Sequence, residues 1–541
     1  MGRLEGLLDQ RFDLAIAGGG IIGAGIARDA ALRGLKVALV EMADFAHGTS
    51  SASTRLIHGG LRYLEQYDFG LVRQDLRERE ILLRIAPHLV HPLPFLIPVY
   101  SRSLFYRMKL RAGMVLYDLL SYDRSLPGHR WLSTKDVLAI EPGLNPEGLQ
   151  GAFLYHDGQV PSVERLCMEN LLAAREQGAK VTNYLRVTGY LQEGSRVTGL
   201  AVEDQLTGET GRIRARVVVN ATGPWLDSSL DMLQKNRPPL VRRTMGIHLA
   251  TPRGTNNALV LFASDGRLFF VIPWNGLSLV GTTDTDFDTD PDQAAASSED
   301  IRYLLDGVQP VLPQGPWNDI YYTTAGVRAL IRVEGVHESS VPRGHMLVEH
   351  SQKGGPAGLI SVVGGKVTAY RAIARETTDL VCHQLAEARA AATDREPLPG
   401  ARFANLEDCY RKVSRAATAL GLDESQSRYL VDIYGIRALE PLKLAELEPR
   451  LAERISPASP DILAQLHHAV QQEMALKVED FMLRRSMLGF APSRGREAAE
   501  VVAAEMGQLL GWDETRRRDE EAAYLEKVGN EAATQQSLVE R

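Results

Sequence analysis

Three cysteines in 541 residues, Cys167, Cys382 and Cys409, are too few, too scattered and odd in number to build a disulfide framework. They fit a reducing compartment, and none has the spacing of a metal-ligand set. No run approaches the roughly 20 apolar residues of a membrane-spanning helix. The opening residues, with Arg3, Glu5, Asp9 and Arg11, lack the apolar core of a secretion signal, and Gly2 is not followed by the serine or threonine of a myristoylation signal. A chain that stays in the cytoplasm is expected. An excess of basic residues is missing too: 61 lysines and arginines against 68 acids give a net charge of -7, so there is no reason to expect nucleic acid and any cationic site must be local. Internal repeats and low-complexity tracts are absent. What remains is an ordinary globular composition, 44% hydrophobic and 24% charged. Its length exceeds the roughly 250 to 300 residues at which a single core stops growing, which predicts two or three domains.

The most informative stretch runs from 12 to 41: an apolar strand, Gly-Gly-Gly-Ile-Ile-Gly at 18–23, a helix with small residues at Ala27, Ala31 and Gly34, and a second strand ending at Glu41. In this dinucleotide fingerprint Gly18 permits the tight turn, Gly20 lets backbone approach a pyrophosphate, and Gly23 permits close helix-strand packing. Glu41 is placed to accept from the adenosine ribose, which disfavours a 2′-phosphate. The bland alternative is a glycine-rich turn without a ligand.

A long loop at 48–60 leads into a helix near 70–86, and helical periodicity returns at 162–177. Alternating segments at 180–219 and 240–283 predict antiparallel strands, the latter a second sheet domain. The strand at 216–220 ends in Ala-Thr-Gly at 221–223. Residues 359–366, Leu-Ile-Ser-Val-Val-Gly-Gly-Lys, repeat the strand-glycine logic before a helix to about 391. After Pro397-Leu-Pro-Gly400 the chain reads as an all-helical cap to about 525, with a polar tail expected to fray. The fold class expected is therefore α/β (α+β): a Rossmann-type nucleotide domain, an antiparallel-sheet substrate domain and a C-terminal helical domain. The oxidoreductase part spans 1–395, with nucleotide segments at about 10–85, 160–235 and 355–395 and sheet segments at about 86–159 and 236–354; the helical domain spans 401–541.

Three separated glycine-bearing stretches of similar type suggest one extended cofactor, and a flavin, whose ring must be held by later segments, fits better than a nicotinamide. FAD is the expectation. Further motifs are Thr-Ser-Ser-Ala-Ser-Thr-Arg-Leu-Ile-His-Gly-Gly-Leu-Arg-Tyr-Leu at 49–64, Asn-Ala-Thr-Gly-Pro-Trp at 220–225, Gly-Thr-Thr-Asp at 281–284, Ala-Gly-Val-Arg at 325–328 and Gly-Gly-Lys-Val-Thr-Ala-Tyr-Arg at 364–371. With these the chain resembles the FAD-dependent glycerol-3-phosphate dehydrogenases, quinone-linked members of the glycine-oxidase-like flavoproteins. The helical end resembles them too, at 473–475, 480–490 and 510–513. Departures are Arg55 and Met245 where lysine is frequent, and Ala329 where proline is usual.

The resemblance implies hydride transfer from C2 of sn-glycerol 3-phosphate to FAD, yielding dihydroxyacetone phosphate. That needs cations for a dianionic phosphate and an acceptor for the hydroxyl proton. By resemblance Arg62, Tyr63 and Arg343 surround the phosphate and Arg328 lies nearer the reacting carbon; surface ion pairing is the alternative for each arginine. His248, in an apolar strand, is the candidate base or orienting group, against a structural buried histidine. Lys366 can stabilise negative charge at the flavin or on the developing alkoxide. The expected cofactor contacts are Gly18, Gly20, Gly23, Glu41, Thr49, Ser50, Ser51, Arg55, Leu56, His58, Gly59, Gly60, Asn220, Ala221, Gly223, Gly365, Lys366 and Thr368. In particular Ser50, Ser51 and Arg55 are expected to reach the pyrophosphate or ring edge. Alternating acids from Asp284 to Asp292 invite a calcium reading, but Thr289 and Ala295 break the EF-hand pattern and favour a solvated loop. No metal is expected.

Residues 102–120 plot as an amphipathic helix with Leu104, Phe105, Met108, Ala112, Val115, Leu116 and Leu119 on one arc, flanked by Arg107, Lys109 and Arg111. Two readings stand: a helix in a membrane interface, or one packed on the protein's own core. The resemblance favours the first, with a membrane quinone as acceptor, peripheral attachment on the inner face of the cell membrane and, by analogy, a homodimer. The alternatives are a soluble glycerol-3-phosphate oxidase using oxygen and a non-catalytic, membrane-associated FAD-binding protein.

Overall fold

The computed structural model describes residues 3–64, 67–101, 103–333 and 344–539, with the side chains of Arg62 and of 532–539 outside that description. The glycine-turn strand Arg11–Ala17 lies at the middle of a sheet, parallel to Val37–Val40 on one side and to Thr210–Asn220 on the other. Lys180–Thr182 extends one edge and Leu359–Gly364 the other, also in parallel. Val37–Val40 is buried at all four positions, as a strand covered on both faces must be. One face is covered by the helices Ile21–Leu32, Val163–Glu176 and Tyr370–Leu385. The three glycine stretches therefore follow three neighbouring strands of one sheet at their carboxyl ends, where open parallel sheets bind ligands.

The second sheet is antiparallel around Val241–Pro252, which pairs along ten positions with Tyr322–Ile331 and with Leu277–Gly281 on its other edge. Leu268–Trp274, Ala258–Phe262, His91–Val99 and Gly151–Gln159 continue it. The helical end includes Leu406–Ala419, capped by Asn405, and Glu424–Tyr434, which opens on an Asp423/Gln426 capping box. Rossmann-type sheet, antiparallel sheet and helical end are thus all present. The helix Glu514–Val539 runs into the polar tail and is anchored near its middle by Tyr524 and Val528 in the cap core.

The helix Leu104–Leu120 starts at Ser103, whose hydroxyl accepts from the Tyr106 N–H. It turns Met114 and Tyr117 into the core, packs Leu116 of the predicted arc partly against it, and leaves most of the arc outside: Leu104 is 67%, Phe105 79%, Met108 62%, Val115 43% and Leu119 66% exposed. Among the described residues no helix is long and apolar enough to cross a membrane.

Candidate active site

A cavity of about 640 Å³ opens where the two sheets meet and is lined from all three glycine stretches. Gly18 adopts φ +109°, and a Cβ there would lie 2.5 Å from the Ala221 carbonyl oxygen. A Cβ on Gly23 would strike the Gly18 carbonyl at 2.0 Å, so this glycine serves packing of helix on turn. Gly20 lines the cavity at the start of Ile21–Leu32, and Ser50 Oγ accepts from the Ile21 N–H at 3.0 Å. Glu41 accepts from the Gly19 and Ala43 N–H groups at 2.6 and 3.0 Å, and its carboxylate is 3.3 Å from His47 Nδ1. Burial opposes its ionisation, but His47 and these donors outweigh burial and hold it below the usual carboxylate range.

Ala221, Gly223, Gly60, Gly365, Leu56, Thr49 and Thr368 line the same cavity. A Cβ at Gly223 would meet no protein atom within 4 Å, so bare backbone faces open space there. The Nε1 of Trp225 and the Nδ1 of His248 border this space as buried polar atoms without a hydrogen-bond partner. An elongated cofactor with a phosphate-bearing and an aromatic part fits this lining. FAD is the cofactor, consistent with the relatives below.

His248, buried on Val241–Pro252, has Nε2 3.0 Å from Thr54 Oγ1. Burial, then Arg328 and Arg55, push its imidazole down to about 3, so the ring is neutral. Arg328, across the pairing from Thr244, donates to Asp284 at 3.0 Å, to Thr282 Oγ1 at 2.8 Å and to the Thr283 carbonyl at 3.1 Å. Lys366 Nζ donates to Asp75 Oδ2 at 2.6 Å and sits 3.7 Å from the centre of the Tyr63 ring. The His58 ring faces Phe270 edge-on, and the His58 backbone N–H donates to Thr368 Oγ1 at 3.2 Å. The Arg62 side chain and Arg343 lie outside the described residues.

Of the expected cofactor contacts, Ser51, Asn220 and Gly59 turn elsewhere, and Arg55 lines the cavity with its guanidinium tied into the wall. The Arg55 guanidinium forms a buried bidentate pair with Glu164, at 2.9 and 3.0 Å, between the rings of Trp274 and Phe490. Both its terminal nitrogens are engaged there, with Glu164 and the Pro161 and Ser51 carbonyls, so the guanidinium braces the cavity wall. Ser51 donates its hydroxyl to the Ala46 carbonyl. Asn220 Oδ1 accepts from the N–H and hydroxyl of Thr222, shaping the turn rather than the cavity wall. Gly59 faces the core, where a Cβ would meet Leu76 and the Tyr117 hydroxyl at 2.5 Å.

Asp284 turns to Arg328 and Asp286 to Arg242, while Asp290 caps a short turn, so these acids point to separate partners. Among the described residues no group of His, Cys, Asp or Glu side chains is arranged to hold a metal. Sequence reasoning missed Thr54, His47 and Asp75. Only Asp75 carried a signal, an acid on the same helical stripe as Val72, Leu76 and Arg79.

Residues 13–380 match the model of the FAD dependent oxidoreductase family, and residues 391–517 that of the C-terminal domain of alpha-glycerophosphate oxidase. The chain is 40% identical over 521 residues to a glycerol-3-phosphate dehydrogenase of a Synechocystis species, covering 93% of each. It is 38% identical over 536 residues to glycerol-3-phosphate dehydrogenase 2 of Mycobacterium tuberculosis, covering 97% of this chain and 89% of that protein. Its fold superposes on the crystal structure of a glycerol-3-phosphate dehydrogenase from Bacillus halodurans complexed with FAD, with a TM-score of 0.81 and 30% identity over 98% of this chain and 96% of that one.

Proposed function

The chain belongs to the FAD-dependent glycerol-3-phosphate dehydrogenases, and from that premise we propose that it oxidises sn-glycerol 3-phosphate at C2 to dihydroxyacetone phosphate and passes the electrons to a quinone in the cell membrane. The observation that carries the reaction is the convergence of His248, Arg328, Lys366 and Tyr63, from four separate segments, on one cavity. FAD supplies the acceptor for the C2 hydride. His248 takes the hydroxyl proton: in the tautomer that donates Nε2–H to Thr54 Oγ1, 3.0 Å away, the unpartnered Nδ1 keeps its lone pair, and the ring is neutral before substrate arrives. Arg328, braced by Asp284 and two threonines, holds the substrate oxygen as the carbonyl forms. Tyr63 and Lys366 give a hydroxyl donor and a cation to the anionic substrate; the resemblance adds Arg62 and Arg343 to the phosphate.

The quinone acceptor is favoured by the helix Leu104–Leu120. Its exposed apolar arc carries a shallow groove between Met108, Arg111, Ala112, Val115, Leu116 and Leu119, and Arg107 and Arg111 stand beside it for anionic headgroups. We read this as peripheral attachment to the inner face of the membrane. Turnover with glycerol 3-phosphate, glycerol and a 2-hydroxy acid, each with a soluble quinone or oxygen as acceptor, tests the whole reading. Quinone reduction with glycerol 3-phosphate alone is expected. Peroxide formation matching quinone turnover would make the protein an oxidase, and equal activity on glycerol would remove the phosphate-binding role.

A further inference from the structure

One buried layer under the cavity pairs acids with cations. Glu78 holds Arg371 through Arg371 Nε at 2.7 Å, and Asp157 holds Arg79 at 2.6 Å and the Tyr117 hydroxyl at 2.7 Å. Asp75 differs: its cation is Lys366, the one that enters the cavity. Its carboxylate is fully buried on Phe69–Ile85, while Lys366 keeps 16% of its side chain exposed. The second carboxylate oxygen of Asp75 has no hydrogen-bond partner. A free lysine has four rotatable bonds, and burying an acid with a single partner is costly, so the arrangement gives up stability to fix one ammonium.

We propose that Asp75 is the positioning residue of Lys366, holding its ammonium fixed over the Tyr63 ring so that it faces the substrate end of the cavity. This rests on Lys366 being part of the reaction site, as argued above. The groups around the pair are Glu78 on the same helix, Asp157 from Gly151–Gln159, His58 from the loop at 48–60, and Tyr63. Burial pushes Asp75 up to about 6 against the pull of Lys366, with Glu78 and Asp157 adding to the rise. Burial also holds His58 neutral, down at about 4. The ion pair therefore forms as pH rises through about 6 and dissolves below it.

The test compares the FAD-loaded parent with Asp75→Asn. Acylation of Lys366 by succinimidyl acetate is followed by peptide mass spectrometry between about pH 6 and 10, with exposed Lys353 as internal reference. Losing the anionic partner is expected to move the Lys366 midpoint down by at least about one pH unit, with Lys353 unmoved. Anaerobic flavin reduction by glycerol 3-phosphate is expected to slow at least about tenfold, and the parent's acid limb near pH 6 to vanish. Asp75→Glu, which keeps the charge, is expected to restore the midpoint. An unmoved Lys366 midpoint, or reduction within about twofold of the parent at every pH, overturns the proposal. A change that only loosened packing would slow reduction and leave the midpoint alone. Should Asp75→Asn not retain FAD, Asp75→Ser, with room for a water beside the ammonium, takes both measurements. A parent that glycerol 3-phosphate does not reduce would refute the functional reading instead, and the acylation comparison would still decide the role of Asp75.

Discussion

Arg328 is oriented before any substrate arrives, because Asp284, the Thr282 hydroxyl and the Thr283 carbonyl already accept from its guanidinium. A fork held this way loses little freedom on binding, which suits the role proposed for it as a preset charge at the reacting oxygen. Arg328→Ala is expected to lower kcat/KM for glycerol 3-phosphate by about 10²- to 10³-fold with flavin content unchanged. Steady-state kinetics beside the flavin-to-protein absorbance ratio check this, and activity within about twofold of the parent removes Arg328 from the site. At His248 the prediction concerns pH. Its imidazole is pushed down to about 3, below the ordinary 6.5, so the neutral ring stabilises the fold above pH 6.5 and that contribution fades as pH falls toward 3. Between about pH 5 and 8 the ring does not titrate, so His248→Asn is expected to slow flavin reduction while leaving the parent's acid limb where it was. Loss of that limb in His248→Asn would assign the titration to the histidine. The glycines were legible because dihedral demands are local: Gly18 and Gly365 have the positive φ their motifs require. Arg55 was not. Its partner Glu164 is 109 positions away, and spacing near a glycine turn says nothing about which way a guanidinium points.

Among the elements, the helix Leu104–Leu120 shows what periodicity can and cannot decide. Its apolar arc was readable at 100° per residue, but core contact and membrane contact give the same pattern. The structure divides the helix, with Met114 and Tyr117 inward and Phe105, Met108 and Leu119 outward. Burying one large apolar side chain contributes about 1.5 to 3 kcal/mol, so Phe105→Ser with Leu119→Ser is expected to weaken binding to anionic phospholipid vesicles by about tenfold or more. Because both side chains are exposed, the melting temperature should stay within about a degree or two. Vesicle co-sedimentation and a thermal melt measure the two effects, and undiminished sedimentation rejects the membrane face. The strands were legible from alternation and glycine punctuation. Their register was not, since pairing Val241–Pro252 with Tyr322–Ile331 joins segments about eighty residues apart and is what delivers Arg328 beside Asp284.

The molecule as a whole is joined by charges that neither half can bury alone. Glu473 of the helical end grips Arg165 at 2.5 and 3.0 Å, and Asp44, just after Glu41, accepts from Arg484 and Arg485. Phe490 then stacks on Arg55, so the cap reaches a wall of the cavity. The sequence announced a helical cap but not these pairs, because no local pattern links residues 308 or 440 positions apart. Glu473→Ala removes the carboxylate paired with the buried Arg165 guanidinium, which is expected to cost about 3 to 5 kcal/mol and to appear as a lowered melting temperature. A melt unchanged from the parent would mean that the two parts are held together otherwise. The central claim, that this scaffold brings sn-glycerol 3-phosphate and FAD together for oxidation at C2, is tested most directly by adding the substrate anaerobically to the purified yellow holoprotein. Bleaching of the flavin with one dihydroxyacetone phosphate formed per flavin is the predicted result; a spectrum that stays oxidised at saturating substrate would contradict the account.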